Sequence, residues 1–560
     1  MIRLLTTLHD WVLSLTGWQR YGAAFVLGLL TAAAMAPYYV LPFLVTGFSG
    51  LVWLMDNAVR HQRAGKVAFW TGWWFAFGYF CLSLYWMAFS FIVHAEGPGH
   101  MILLSVLGFG GVFGLAAFIA LFYGMALWLA RRVWPAGWMR VLVLAIAWSL
   151  AEYARGHLFT GLPWNLTGQA FAGLSALSQP VAWIGTYGLG FLILIAAALP
   201  AACIPAAPAA TQAEARIAPL GASAGIVLAI ALAGAIRLAG ADVTMVENVR
   251  VQIVQPNIAQ RDKLNYDLWV DNFWANLNLS GGAEAQPPSG GQLYVIWPEN
   301  AAYSYFQRDP SALDVLQDRL PDNAVLLAGG TRYDAVGPDL YDYFNSLLIL
   351  SREPLPEEDT SAIDRMESET PWSVRRAYDK HHLAPFGEYV PLAGLWQAIG
   401  IGNVVPIGQP FTPGAGPETI DLGRARMSPV ICYETIFPGR LYPRGDRPDF
   451  LVTITNDAWY GDSNGPRQHF DISRLRAIEA GLPMARSANT GISAMIDPYG
   501  RIVNKLALYE RGVINSQLPG AIPPTIYHYT SDFVYFILLA ITALWVITSY
   551  NVGGRSRFFS

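Results

Sequence analysis

Apolar residues are concentrated in two parts of the chain, from about residue 21 to 240 and again from about 532 to 549. Within these parts they form helix-length runs, most of them long enough to cross the ~30 Å hydrocarbon layer of a bilayer. The region between the last two runs has the polarity of a soluble domain. The pattern predicts eight transmembrane spans, at about residues 21–37, 38–55, 67–93, 101–130, 141–153, 181–206, 220–238 and 533–548.

Basic residues lie mainly in alternate connections between these runs. Because Lys and Arg accumulate in cytoplasmic loops, the connections that contain them are expected to face the cytoplasm. The opposite connections are poor in basic residues, with none at 94–100 and only Arg155 at 154–179. Residues 241–531 are therefore predicted to lie on the periplasmic side of a bacterial inner membrane, and the eighth span returns the tail to the cytoplasm. The basic residues of the connections that are expected to face the cytoplasm are Arg60, Arg63, Lys66, Arg131, Arg132, Arg140, Arg216, Arg555 and Arg557.

The middle region alternates short strand-like runs with helical sequence. A helix is expected at about 468–480, and Asp497-Pro498-Tyr499-Gly500 has the composition of a hairpin turn. This alternation predicts a layered α/β domain. The chain thus divides into a membrane domain at 1–240, a soluble domain at 241–531, and a last span with its tail at 532–560. The predicted strands lie at about 249–254, 293–297, 324–328, 346–350, 429–432, 450–455, 484–487, 492–496 and 501–504.

Three segments of the soluble region end at side chains that could act together in catalysis. One apolar run stops at Cys432, another is followed by Glu299, and Lys380 stands just before a Pro/Gly turn. A thiol that attacks a carbonyl needs a base to take its proton and a fixed cation to hold the oxyanion. A single cysteine is more often a small buried hydrophobe. The three residues together predict an acyl-transfer site.

Composition and charge narrow the functional class. The chain is 54% hydrophobic and only 14% charged, which is typical of a membrane protein. A net charge of −4 without a basic stripe argues against nucleic-acid binding. Of the three cysteines only Cys432 lies in the soluble region, so no disulfide is expected there. The nine histidines show no ligand spacing with Cys or carboxylates, and neither a metal nor another cofactor is expected.

The order of three motifs resembles that of the nitrilase superfamily: Trp297-Pro298-Glu299, then Lys380 through Glu388, then Cys432-Tyr433-Glu434. Together with Asn456-Asp457-Ala458-Trp459 and the apolar runs, the whole chain resembles the apolipoprotein N-acyltransferases of the bacterial inner membrane. The resemblance implies an α-β-β-α sandwich inserted before the last span. It also implies transfer of an acyl chain from a phospholipid, typically phosphatidylethanolamine, through a cysteine thioester to the N-terminal amine of a diacylglyceryl-cysteine apolipoprotein.

The same resemblance implies roles for four further residues. Glu388 would support Lys380 and the proton network of the site. Tyr433 and Glu434 would shape the rim at which substrates exchange. Trp459 would form a wall of the substrate pocket, although a tryptophan in this position could equally belong to the core.

Four stretches depart from the family pattern or resemble insertions. The family usually has a tryptophan after the lysine equivalent to Lys263, but Leu264 stands here. The Gly/Pro-rich stretch 281–291 is predicted to be a flexible loop, and the acidic stretch 353–369 a solvated one. The apolar, glycine-containing stretch 390–407 has two interpretations: a lid that dips into the bilayer, or a cover over the core.

Two other functions remain open at the level of sequence. The first is a membrane-anchored amidase that uses the same three residues on a small soluble amide, for which one span would suffice. The second is a transporter or sensor whose soluble domain has borrowed the fold. Transporters tend to contain internal repeats and charged residues within their spans, and neither is evident here.

Overall fold

A computed structural model describes residues 2–553 apart from 94, 207–215, 264, 289, 303–304, 338–339, 357–371, 392 and 395–409. The chain forms two compact units. The first comprises Met1–Ala241, Ser463–Glu479 and Pro524–Ser560, and the second comprises Asp242–Asp462 and Ala480–Pro523. Leu264, most of the acidic stretch 353–369 and most of the apolar stretch 390–407 lie outside the described residues.

The α-helices of the described chain account for most of the first unit. In chain order they are α1 (Ile2–Ser14), α2 (Gly17–Ala32), α3 (Pro42–Val59), α4 (Ala64–Ser83), α5 (Phe89–Ile92), α6 (Pro98–Ala130), α7 (Arg140–His157), α8 (Ser175–Ser178), α9 (Val181–Ala198), α10 (Ala218–Ala239), α11 (Gln260–Lys263), α12 (Trp269–Leu277), α13 (Tyr305–Arg308), α14 (Asn464–Ala480), α15 (Ile526–Thr530) and α16 (Phe533–Gly553). Helix α14 clusters with the first unit, although it comes from the soluble part of the sequence.

Helices occupy all eight segments that the apolar pattern singles out, but fewer of them meet a strict test for crossing a membrane. By length and hydropathy three segments of the described chain qualify: Pro98–Val133, Val181–Cys203 and Ala218–Ala239. A fourth qualifies if α4 and the segment Tyr85–Ile92, which meet at an angle of 56°, form one span. The chain thus has helices able to span a membrane, and the number eight stays a prediction.

Helix α6 shows how the sequence sets these elements. It begins with Pro98 directly after Gly97, whose φ of +86° ends the preceding segment, and proline suits the first helical turn because its missing N–H has no partner there. The helix contains no later proline and ends where Arg131 and Arg132 follow. Only 22% of its most apolar stretch is buried inside the protein, so most of that stretch is not packed against other parts of the described chain.

Two buried charged residues of α7, Glu152 and Arg155, have hydrogen-bond partners in the first unit. Glu152 Oε1 accepts hydrogen bonds from the backbone N–H and the hydroxyl of Thr167, both at 2.8 Å. The guanidinium of Arg155 donates to the carbonyl of Trp164 at 2.8 Å and to that of Leu162. Glu152 and Arg155 therefore fix the loop that follows their own helix, which accounts for their burial among apolar helices.

A second buried pair joins α3 to α7. Arg140 Nε lies 3.1 Å from Asp56 Oδ2, and both side chains are at most 1% exposed. Asp56 also accepts a hydrogen bond from the Trp134 indole at 2.9 Å, while Arg140 donates to the carbonyls of Ala201 and Ile204. Each charge thus has partners in place of water, which is the condition for burying it.

The second unit contains two six-stranded sheets. The strands are β1 (Met245–Gln255), β2 (Gln292–Ile296), β3 (Ala324–Gly337), β4 (Leu340–Ser351), β5 (Ser373–Asp379), β6 (Ile420–Asp421), β7 (Arg426–Ile431), β8 (Phe450–Thr455), β9 (Met484–Ala488), β10 (Ser493–Ile496), β11 (Ile502–Leu506) and β12 (Gly512–Pro519). Their order is β12-β1-β2-β3-β4-β5 in one sheet and β11-β10-β9-β8-β7-β6 in the other. Strands β1 to β3 are parallel, as are β7 to β9, and the other neighbours are antiparallel.

The core follows from the two-residue period of the strands. In β2, Tyr294 and Ile296 belong to the apolar cluster between the two sheets. Leu293 and Val295 point the other way, into a second cluster that includes Phe273 of α12. Both faces of β2 are buried, so its sequence is apolar throughout, as expected for a parallel strand. The predicted layered α/β arrangement is confirmed.

All the predicted strands are present, but two strands of the first sheet were not anticipated. These are β5 and β12, which form its two edges. Their sequences, SVRRAYD and GVINSQLP, carry polar residues on one face and lack the continuous apolar run of the central strands. Edge strands are commonly polar because one side remains unpaired, and this weakens their signal in the sequence.

The buried pair between α3 and α7 makes a testable contribution to stability. Asp56→Ala leaves the Arg140 guanidinium buried without its counter-charge, which we expect to cost about 3–5 kcal/mol of unfolding free energy. The measurement is thermal unfolding of the purified chain in detergent. Asp10→Ala is the control, because the Asp10 side chain is 69% exposed and its removal should cost less than about 0.5 kcal/mol. Equal losses in the two variants would contradict the assignment.

Candidate active site

The predicted reactive residues stand at the ends of strands that run in the same direction. Glu299 follows β2 by three residues, Lys380 follows β5 directly, and β7 and β8 are followed by Cys432 and Asn456. Strand β5 points the same way as β2, because it is antiparallel to β4, which is itself antiparallel to β3. Side chains that follow such strands collect at one edge of their sheet, as is usual for ligand sites in α/β folds.

Glu299 and Lys380 form a buried ion pair. The Lys380 ammonium lies 3.5 Å from Glu299 Oε1, and the two residues are only 2% and 5% exposed. The other oxygen of the carboxylate, Oε2, accepts the backbone N–H of Asn456 at 2.9 Å. The Glu299 carboxylate is therefore held from two sides, with one oxygen turned toward the ammonium.

Asn345 and Glu388 complete the surroundings of Lys380. The Lys380 ammonium donates to Glu388 Oε1 at 2.9 Å. The side-chain amide of Asn345 donates to both carboxylates, at 2.8 Å to Glu299 and 2.7 Å to Glu388. Burial opposes the charge on Lys380, but the carboxylates of Glu388 and Glu299 outweigh it and hold the Lys380 pKa above its ordinary value. The lysine is thus a permanent cation.

Cys432 begins a short 3-10 helix, Cys432–Ile436, and has a strained backbone. Its φ is +49°, in the left-handed region that non-glycine residues seldom adopt. The residue as a whole is partly exposed, and its sulfur interacts with the charges of both Glu299 and Lys380. Burial of the sulfur raises the Cys432 pKa, the Glu299 carboxylate raises it further, and Lys380 opposes both effects. The resting side chain is a thiol, so a base must take its proton as it reacts.

Glu434 connects the loop that carries the cation to the strand that carries the sulfur. Its carboxylate accepts the backbone N–H groups of His381 at 2.8 Å and Ile431 at 2.7 Å, and the hydroxyl of Tyr378 at 3.0 Å. The His381 ring lies 2.7 Å from the same carboxylate. Burial opposes ionisation of Glu434, but these hydrogen bonds, that of His381 first, lower its pKa. Glu434 is therefore a fixed anion that joins the loop after β5 to the end of β7, and its place at the rim of the site stays a prediction.

The two aromatic candidates lie beside these groups. Tyr433 follows the sulfur directly and its ring packs against His382 and Phe437, with ring centroids 5.8 and 5.4 Å apart. Trp459 is half-buried in the 3-10 helix Asp457–Tyr460. The pKa of its neighbour Tyr460 is raised above the ordinary value for tyrosine. Burial is the main cause, and the charge of the Cys432 sulfur is the next.

Three residues of the site were missed in the sequence. Asn345 lies inside β4, Asn456 lies in the Asn-Asp-Ala-Trp motif without an assigned role, and Lys263 donates to the backbone carbonyl of Glu299 at 2.8 Å. Only Asn456 carried a signal, its position after an apolar strand. Among the residues that the structure describes, no cluster of three or more His, Cys, Asp or Glu side chains is arranged to hold a metal ion.

Comparisons with known proteins agree with this architecture. Residues 27–199 match the apolipoprotein N-acyltransferase N-terminal domain, and residues 250–525 match the carbon-nitrogen hydrolase family. A protein of Rhodopseudomonas palustris named apolipoprotein N-acyltransferase is 34% identical over 97% of this chain and 98% of its own length. Relatives of the same name from Bradyrhizobium diazoefficiens and Brucella suis are 36% and 35% identical, over 94% and 99% of this chain and 94% and 100% of their own lengths. With two family models and full-length relatives in agreement, the chain belongs to the apolipoprotein N-acyltransferase family.

Proposed function

We propose that this chain moves an acyl chain from a membrane phospholipid, through a thioester on Cys432, to the N-terminal amine of a diacylglyceryl-cysteine apolipoprotein. The observation that carries the proposal is the buried group formed by Glu299, Lys380 and the Cys432 thiol. It supplies a nucleophile, a base and a permanent cation within one site. The names of the relatives supply the substrate class, and phosphatidylethanolamine is the donor that we expect.

In the first half-reaction the Cys432 sulfur attacks the ester carbonyl of the phospholipid. Glu299 takes the thiol proton as the carbon–sulfur bond forms. The Lys380 ammonium and the backbone N–H after Cys432 stabilise the oxyanion, and one such donor contributes about 10²–10³ in rate. The tetrahedral intermediate then breaks its carbon–oxygen bond, and Glu299 returns the proton to the leaving alkoxide. The products are lysophospholipid and a thioester.

In the second half-reaction the apolipoprotein amine attacks the thioester carbonyl. Glu299 takes a proton from the amine, and the carbon–sulfur bond breaks to leave an amide and the free sulfur, which is reprotonated. The two substrates therefore use one site in turn, and the kinetics should be ping-pong. Amines attack thioesters more readily than oxygen esters, which explains the use of sulfur for this transfer.

We further propose that the chain crosses the inner membrane eight times, with the catalytic domain at 241–531 on the periplasmic side. The alternation of basic and non-basic connections supports this orientation. Both substrates are lipids, and an enzyme embedded in the bilayer does not have to extract their chains into water at about 0.8 kcal/mol per CH₂. A hydrolase of small amides would need only one anchor, so the number of apolar segments favours acyl transfer.

The first prediction concerns the three central residues. Cys432→Ala and Cys432→Ser should abolish transfer, and Glu299→Gln and Lys380→Ala should lower it at least 10²–10³-fold, because base and oxyanion partner are lost. The assay is transfer from radiolabelled phospholipid to an apolipoprotein peptide. Protein-bound label should be released by hydroxylamine.

Cys81→Ala is the control, since Cys81 is buried in α4, and should remain active. Full transfer by Cys432→Ala would overturn the proposal, and the absence of any transfer of phospholipid label by the wild-type protein would favour the amidase alternative.

The second prediction concerns Asn345, which bridges the two carboxylates around Lys380. Asn345→Leu removes both hydrogen bonds, and we expect transfer to fall roughly 10–100-fold, the effect of losing 1.5–3 kcal/mol of charged hydrogen bonding. Asn323→Leu is the matched control, because its amide donates at 2.8 Å to the carbonyl of Gly291 and touches none of the catalytic groups. Equal rates for the two variants would show that Asn345 has no part in positioning the site.

Lys263 places a second buried ammonium beside the proposed base. Apart from its hydrogen bond to the Glu299 carbonyl, it lines a small cavity with Trp269 and Asn272. Burial lowers the Lys263 pKa from its ordinary 10.5 to about 7, and the Glu299 charge only partly offsets this. In the folded protein this lysine thus loses its proton at a lower pH than in the unfolded chain.

The third prediction follows from that difference. Between about pH 7 and 10.5 the unfolded chain binds the Lys263 proton and the folded chain does not, so stability due to this group rises with pH, by at most about 1.4 kcal/mol per unit. Wild type should therefore gain stability relative to Lys263→Met between pH 7 and 9 in thermal unfolding. Lys505→Met, at an exposed lysine of β11, should show no such change. If the stability difference between wild type and Lys263→Met did not change with pH, the lowered pKa of Lys263 would be refuted.

A further inference from the structure

A groove of about 330 Å³ lies between the start of α4 and the end of α6, far along the chain from every residue of the proposed reaction. Three of its lining residues are aromatic and one, Lys66, is basic. The lining residues are Gly65, Lys66, Phe69, Trp70, Met125 and Trp128. Indole rings with basic side chains at the end of an apolar helix are typical of the region where lipid head groups meet hydrocarbon.

Two arginines that follow α6 lie near the ring of Trp128, one of these lining residues. The Arg132 guanidinium carbon lies 4.0 Å from the centre of the Trp128 ring, and that of Arg131 lies 6.0 Å from it. Arg131 also lies against the backbone of Gly65, where an added Cβ would come within 2.9 Å of its Nε. The absence of a side chain at Gly65 thus lets the Arg131 guanidinium approach α4.

The positive charge of the groove is not balanced by the surrounding protein. Arg131 Nε is buried, and within the described chain it has no hydrogen-bond partner. No ion pair joins Lys66, Arg131 or Arg132 to a described carboxylate. Asp56, the buried acid at the end of α3, is engaged with Arg140 and with the Trp134 indole. A buried donor without a partner points to an anionic ligand from outside the chain.

The surface next to the groove is apolar and exposed. Phe118, Leu121, Met125 and Leu129 follow one another along α6 and are each 45–49% exposed. They lie on a helix with a mean hydropathy of 2.3 over its most apolar window. A ligand whose charged end sits at the arginines would therefore have an apolar track for a long hydrocarbon chain.

We propose that this groove binds an anionic phospholipid, with the phosphate at Lys66, Arg131 and Arg132 and an acyl chain along α6. Charge complementarity selects an anionic head group over a zwitterionic one, and the apolar track selects a lipid over a soluble phosphate. The site is separate from the proposed transfer reaction and consumes no substrate. The bound lipid stays at the C-terminal end of α6, next to Arg131 and Arg132.

Native mass spectrometry of the full-length chain in detergent tests this assignment, in a Cys432→Ala background so that acyl transfer does not consume lipid. Phosphatidylglycerol should be retained more strongly than phosphatidylcholine. Each of Lys66→Gln, Arg131→Gln and Arg132→Gln should weaken phosphatidylglycerol binding about fivefold, the effect of one cation near a lipid phosphate. Arg216→Gln is the matched control, because Arg216 is an exposed basic residue outside the groove, and it should bind like the parent.

Three outcomes would overturn the site. The first is equal binding of the two lipids, and the second is an equal loss of binding in Arg216→Gln. The third is displacement of the lipid by millimolar glycerol phosphate alone, which would make the groove a site for soluble anions. Thermal unfolding without added lipid identifies any variant that is misfolded, and the charge-retaining variant Arg131→Lys should then keep most of the binding. If the wild-type protein turned out not to transfer acyl chains, the result of this binding experiment would still stand.

Discussion

The site depends on one buried cation, the Lys380 ammonium, which lies between the carboxylates of Glu299 and Glu388. Burial alone would favour the neutral amine, and the two carboxylates favour the charged form of Lys380. The side-chain amide of Asn345 donates one hydrogen bond to each of the two carboxylates. The two carboxylates thus keep Lys380 protonated, and in the proposed reaction its ammonium is the fixed positive charge beside the developing oxyanion.

A second set of contacts makes the sulfur part of this arrangement. Glu434 accepts hydrogen bonds from the residues next to Lys380 and from Ile431, which precedes Cys432, so a single carboxylate aligns the ends of strands from two different sheets. The left-handed backbone of Cys432 then turns its thiol out of the strand. Burial raises the pKa of that thiol, so in the proposed reaction it becomes a nucleophile only as Glu299 accepts its proton.

The central strands and the long apolar helices could be predicted because both have strong periodic patterns, whereas the polar edge strands could not. Glu299, Lys380 and Cys432 could be predicted for a related reason, since each lies within three residues of the end of a strand and has a chemical role that can be named. Asn345 sits within a strand and Lys263 in a short helix, and their importance arises from contacts with residues 46 and 36 positions away. Such contacts depend on how strands pair across the sheet, which no local pattern encodes.

The central claim is that the acyl chain passes through the sulfur of Cys432, and mass spectrometry of the trapped intermediate tests it most directly. Wild-type protein is incubated with phospholipid in the absence of acceptor, then digested and mapped. We expect one acyl group per chain, located on the peptide that contains Cys432 and lost when a diacylglyceryl-cysteine peptide is added. Product formation without acylation of Cys432, or an acyl group on any other residue that is transferred at the same rate, would contradict it.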